Sequence, residues 1–63
     1  MEQSSYHPNH FTAWQRSFME EWSRLGEGKV DIHKTAAFAT QLYPAHWDQD
    51  PVLVAREQWD AGE

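Results

Sequence analysis

Four histidines are the side chains of this 63-residue sequence best suited to hold a metal ion. His7 and His10 stand three residues apart, while His33 and His46 each lie two residues from an aspartate. Imidazole nitrogens and carboxylate oxygens are zinc ligands, so a tetrahedral site is one hypothesis. No glutamate completes a His-Glu-x-x-His arrangement, and nothing makes the four histidines converge. We therefore expect no metal or other cofactor. The alternative role is a response to pH, because histidines titrate near pH 6.5 and would change the net charge in mild acid.

Patterns typical of enzymes are missing from the sequence. There is no cysteine nucleophile and no glycine-rich phosphate loop, and no serine has a Gly-x-Ser-x-Gly setting. Glu20 and Glu21 are adjacent, so they would point in different directions on a helix. A chain this short also has little material to enclose a substrate pocket. We expect a protein without catalytic activity of its own.

Aromatic and acidic residues are the more informative feature. Four tryptophans, two tyrosines and three phenylalanines are a dense aromatic load, and the formal net charge is −5. Large rings can fill a core that has few positions, or some of the nine can be left outside it. Exposed rings mark protein interfaces, and carboxylates complement a basic partner. The predicted contact surface comprises Tyr43, Trp47, Asp48, Asp50, Trp59 and Asp60.

These residues predict a non-catalytic protein-interaction module: a small regulator, inhibitor or assembly accessory that docks on a larger protein or on a second copy of itself. The rival interpretation is that Trp47 and Trp59 fold back over the first helix as a lid on the core. In that case the chain would be a monomer without a docking surface.

A small helix-turn-helix-like DNA-binding regulator is the alternative function, because three short helices are predicted. The charge distribution argues against nucleic acid. Residues 31 to 63 carry six acidic and two basic side chains, whereas a recognition helix must approach two rows of phosphates. The absence of a signal sequence and of a long apolar run favours a cytoplasmic protein that does not bind membranes.

Three helices would position these residues. Apolar side chains recur at helical spacing from Phe11 to Leu25, which predicts a first helix over residues 9 to 25. Its outer face would carry an ion pair of Glu20 with Arg16 or Arg24. Gly26 is expected to end this helix in the left-handed conformation.

A second helix is predicted over residues 31 to 43 and a third over residues 51 to 60. Asp31 and Asp50 are the expected N-caps, Pro51 suits a first helical position, and Pro44 is expected to end the second helix. The fold class is thus all-α, a small three-helix domain over residues 9 to 63 after a flexible N-terminal arm at residues 1 to 8. Trp14 and Trp22 are expected at the centre of the core. The predicted core is Phe11, Trp14, Phe18, Trp22, Leu25, Ile32, Ala36, Ala39, Leu42, Val52 and Trp59.

Overall fold

The computed structural model describes residues 8 to 62, with side chains from His10 onward, and these residues form three α-helices. They are α1 (Pro8–Leu25), α2 (Ile32–His46) and α3 (Pro51–Ala61). The predicted all-α, three-helix class is confirmed. The predicted N-terminal arm lies outside the described residues except for Pro8, the first residue of α1. No helix in the described part of the chain is long and apolar enough to cross a bilayer.

Helix α1 lies between the other two helices and provides most of the contacts that join them. On one side, the Gln15 side-chain amide donates to the Ala36 carbonyl of α2 at 3.2 Å. On the other side, Arg56 of α3 donates to the Glu21 carboxylate at 2.9 Å. Helix α1 is therefore bonded to α2 on one side and to α3 on the other.

The core is built around Phe18, which is fully buried. Trp14 and Trp22 stack on Phe18 one helical turn to either side, with ring centroids 5.7 and 5.4 Å from it. Trp14 is buried as expected, but Trp22 is only half-buried, so the predicted centre is displaced to Phe18. The other buried hydrophobic residues are Ala39, Val54 and Ala55.

One predicted core position, Ile32, is wrong. Ile32 is 63% exposed although it lies on the same helix face as the buried Thr35 and Ala39, because it is the first residue of α2 and borders an open cleft. In α3 the most buried valine is Val54 rather than Val52, which is half-buried. The remaining predicted core residues outside the buried set are also half-buried: Phe11, Leu25, Ala36, Leu42 and Trp59.

Pro44 does not end α2, which continues through it to His46. Proline inside a helix removes one backbone hydrogen bond and costs about 3 kcal/mol. Contacts just before Pro44 oppose this cost, because the Tyr43 ring lies edge-on against Phe11 and Trp14 of α1 at 4.9 and 5.5 Å. Tertiary packing therefore retains a last helical turn that the local sequence disfavours.

The helix starts follow the expected capping chemistry. The carboxylate of Asp31 accepts from the Lys34 backbone N–H at 3.1 Å. Asp50 accepts from the Val52 backbone N–H at 2.9 Å, and Pro51 occupies the first turn of α3. Each carboxylate satisfies a donor that the first helical turn leaves free.

The turn after α1 differs from the prediction in one residue. The Gly28 N–H donates to the Ser23 carbonyl and the Glu27 N–H to the Arg24 carbonyl, which is the Schellman pattern. Glu27 takes the left-handed conformation, with φ of 57°, and Gly26 does not. Gly26 is needed for space, because a Cβ there would lie 2.5 Å from Val30 Cγ1 and 3.2 Å from Trp59.

Candidate functional site

The predicted contact residues fall into two groups, one at each end of α1. Trp47, Asp48 and Asp50 lie in the connection between α2 and α3, where Trp47 faces His10 in the first turns of α1. Trp59 belongs to the last turns of α3 and packs on Trp22. His10 and Trp22 are about 18 Å apart along the helix axis, at 1.5 Å per residue. The predicted contact residues therefore do not form one compact cluster, and their contact with a partner stays a prediction.

Trp47 is the most exposed tryptophan side chain in the described part of the chain, at 55%. Its ring stands nearly perpendicular to the His10 imidazole, with centroids 6.2 Å apart. In this arrangement His10 covers at most one face of the indole. A large part of the ring is therefore open to a ligand or partner.

His10 and Tyr43 support Trp47 from α1 and α2. The Tyr43 hydroxyl and His10 Nδ1 share a hydrogen bond of 2.6 Å, which fixes the imidazole between the two aromatic rings. Tyr43 is half-buried and packs on Phe11 and Trp14. Tyr43 thus packs largely within the fold, and its predicted contact with a partner stays a prediction.

Trp14 fixes the connection between α2 and α3 by a hydrogen bond. Its indole Nε1–H donates to the Gln49 carbonyl at 3.1 Å, and the Gln49 N–H in turn donates to the His46 carbonyl at 2.9 Å. Asp50 then caps α3. The backbone from His46 to Asp50 is held at both ends, so Trp47 and Asp48 project from an anchored segment.

A cleft opens between this segment and the first half of α1, which we call the Trp47 cleft. It has a volume of about 420 Å³ and is open to solvent. Asp48 and Asp50 are both exposed at its edge. Its walls are residues 47 to 51 together with His10, Ala13, Trp14 and Ser17. Among these, sequence reasoning missed the α1 residues, because only the fold brings them next to residues 47 to 51.

Trp59 has different surroundings at the other end of α1. It is half-buried, and its ring lies edge-to-face with Trp22 at a centroid distance of 4.9 Å. Gly26 allows its close approach. Trp59 thus covers part of the core, as the lid interpretation expected, whereas Trp47 does not. Asp60 next to it is exposed.

A buried carboxylate that sequence reasoning assigned no role joins α1 to α3. Glu21 accepts from Arg24 at 2.5 and 3.0 Å and from Arg56 at 2.9 Å, and its side chain is 8% exposed. Hydrogen bonds from the two guanidinium groups lower the pKa of Glu21 to about 2. The expected pairing of Glu20 with Arg24 is wrong, since Arg24 binds Glu21 instead. The three-residue spacing of Glu21 and Arg24 was the available signal.

The three histidines in the described part of the chain do not gather into one group. His10 contacts Tyr43, His46 lies 3.3 Å from the Gln49 side chain, and His33 is exposed on α2. Within residues 8 to 62 no three histidine, aspartate or glutamate side chains are placed to hold a metal ion. His7 lies outside the described residues.

Comparisons with known proteins give no relative. The sequence matches no protein-family model, and neither the curated proteins nor the solved structures searched show significant similarity to it. The candidate site therefore rests on the geometry of the Trp47 cleft and on the chemistry of its side chains.

Proposed function

We propose that this chain is a non-catalytic protein-interaction module, a small regulator, inhibitor or assembly accessory, that docks on a larger protein through the Trp47 cleft. The observation that carries this proposal is the exposure of Trp47, at 55%, on a segment anchored by Trp14 and Asp50. Exposing the apolar indole to water is unfavourable, and an exposed indole contributes little to the core. Its presence on an anchored segment therefore favours a role in binding.

Tryptophan is among the residues that contribute most to protein interfaces, where a few central side chains carry most of the binding free energy. A side chain that is already held in place loses less conformational entropy on binding than a mobile one. His10 on one side and the fixed backbone on the other restrict Trp47 in this way. Trp47 would therefore be the anchor, and the exposed Asp48 would steer a basic partner toward it.

The charge of the chain supports a protein partner over a nucleic acid. The outward residues of α3 include Leu53, Glu57 and Asp60, and the Arg56 guanidinium is already paired with Glu21. A helix with this face would repel phosphates. We accordingly expect no specific binding of duplex DNA, even at low salt, where phosphate contacts are strongest.

Capture from cells of the native host tests the proposal. The tagged full chain would be compared with Trp47→Ala and with Ile32→Ala, which removes another exposed apolar side chain 63% accessible to solvent. We expect at least one protein to be recovered by wild type and Ile32→Ala but lost with Trp47→Ala, and its purified form to bind directly. Circular dichroism would verify that both variants remain folded.

Two outcomes would contradict the proposal. If every recovered protein binds Trp47→Ala as well as wild type, the Trp47 cleft is not a docking site. If sedimentation shows instead that the chain self-associates through Trp47, the partner is a second copy rather than a larger protein.

A further inference from the structure

The Trp47 cleft combines an exposed aromatic ring with carboxylates, and this combination selects a particular partner chemistry. Resting on the proposed function, we infer that the Trp47 cleft binds an arginine side chain of the partner. The guanidinium lies against the Trp47 indole, and its N–H groups donate to Asp48. The occupant is thus a basic, arginine-bearing segment of another protein.

The indole is the first element of this site. A cation over an aromatic face is attracted by the negative potential of the ring, most strongly for tryptophan, and arginine is the more frequent partner. Because His10 stands at 74° to the Trp47 ring, it leaves at least one indole face available. The opening of about 420 Å³ between the connection and α1 gives space for a side chain beside that face.

The carboxylates are the second element, and they are not equivalent. One Asp50 oxygen accepts from the Val52 N–H, and the positive end of the α3 dipole offsets part of its charge. Asp48 precedes the cap, lies outside α3 and is exposed at the edge of the same cleft that Trp47 lines. The formal net charge of −5 attracts a basic segment over a longer range. Asp48 is therefore the carboxylate expected to pair with the bound cation.

Arginine fits this pair of groups better than lysine. Its guanidinium is planar and weakly hydrated, so one group can stack on the indole and donate two hydrogen bonds to a carboxylate at the same time. An ammonium is a compact, strongly hydrated charge and gains less from the ring. The site should accordingly rank arginine above lysine, and both above a neutral side chain of the same length.

Titration of the full-length chain with short peptides tests the inference directly. The probes are tri-arginine, tri-lysine and a peptide with three citrullines, which keep the shape of arginine without its charge. Nuclear magnetic resonance would follow the indole N–H signals, with Trp59 as the internal control. We expect tri-arginine to shift the Trp47 signal and to bind several-fold more tightly than tri-lysine, while the citrulline peptide leaves it unchanged.

Substitutions separate the ring from the charge. Trp47→Leu, which retains apolar area, should weaken tri-arginine binding about 5- to 20-fold, the scale of a partly desolvated cation–π contact. Asp48→Asn should weaken it about 2- to 5-fold, as for an exposed ion pair, whereas Asp60→Asn at the other end of α1 should have a smaller effect. Circular dichroism of each variant would verify its fold.

The outcomes distinguish this inference from the proposed function. If the citrulline peptide shifts Trp47 as much as tri-arginine does, or if Trp47→Leu binds unchanged, the cleft is not an arginine site. A captured partner that still depends on Trp47 would then leave the docking function intact, with an apolar occupant. If tri-arginine shifts Trp59 and Trp47 equally, the attraction is general to the acidic chain and the inference is overturned.

Discussion

At each end of α1, an aromatic side chain of α1 lies against a tryptophan from a later segment of the chain. The two tryptophans differ in how far they are buried. At one end, Trp59 packs on Trp22 over Gly26 and is half-buried. At the other end, the Trp47 ring stands nearly perpendicular to the His10 imidazole and stays 55% exposed. The comparison predicts that Trp59 contributes to the stability of the fold, and it leaves Trp47 as the proposed docking residue.

The difference in burial arises from the backbone next to each tryptophan ring. Gly26 lets the end of α1 approach Trp59 closely, so the indole of α3 packs against α1 and is half-buried. The connection that carries Trp47 is held by a hydrogen bond from Trp14 to the Gln49 carbonyl, in which the Trp47 indole takes no part. Residue type alone therefore does not assign a tryptophan to the core or to a docking site.

The largest effect on stability is expected for Trp59→Ala. Removing this half-buried ring uncovers Trp22 and leaves space beside Gly26. We expect a loss of about 2 to 3 kcal/mol in the free energy of unfolding, below the cost for a fully buried aromatic ring. Urea denaturation followed by circular dichroism measures it, and a loss under 1 kcal/mol would show that Trp59 is as dispensable as Trp47 is proposed to be.

A smaller effect is expected for Gly26→Ala, because the new methyl group would collide with Val30 and press on Trp59. We expect a loss of about 1 to 2 kcal/mol from this overpacking. Gly62→Ala is the matched control, since the nearest atoms there lie 3.5 Å away at ordinary contact distance. Equal melting temperatures for the two variants would contradict the close approach described for Trp59.

The Glu21 contacts predict how stability depends on pH. Folding lowers the pKa of this carboxyl from 4.5 to about 2, so its contribution is present above pH 4.5 and is lost as the pH falls toward 2. Wild type should therefore lose more stability over this interval than Glu21→Gln, which has no proton to gain. Parallel acid titrations of the melting temperature would contradict the lowered pKa.

Glu27→Gly should produce a small gain. Glu27 adopts a left-handed backbone conformation that glycine takes without steric cost. The added freedom of glycine in the unfolded chain offsets part of the benefit. We expect a net stabilisation of about 0.5 kcal/mol by thermal unfolding, and a destabilised variant would show that Glu27 makes contacts that outweigh its backbone strain.

The sequence predicts the helices well because their signals are local. The apolar spacing of α1, the caps at Asp31 and Asp50, and Pro51 at the start of α3 each act within a few residues. The failures depend on contacts between helices. Pro44 remains helical next to a packed Tyr43. Ile32 has the spacing of the buried face of α2 but is exposed, because it is the first residue of that helix.

The candidate site could be predicted only in part. Trp47, Asp48 and Asp50 are neighbours in sequence, so their grouping did not require a structure. Trp59 and Asp60 are separated from these residues because α3 runs along α1 and places Trp59 next to Trp22. The contribution of His10 and Trp14 depends on contacts across 33 or more residues, which no local pattern reveals.

The central claim is that Trp47 serves binding and not the fold, and Trp47→Ala tests it most directly when stability and binding are measured on the same preparation. We predict a free energy of unfolding within about 0.5 kcal/mol of wild type, as for surface substitutions, together with loss of binding to the partner captured by the wild-type chain. A variant destabilised as much as Trp59→Ala, or one that binds that partner unimpaired, would contradict the claim.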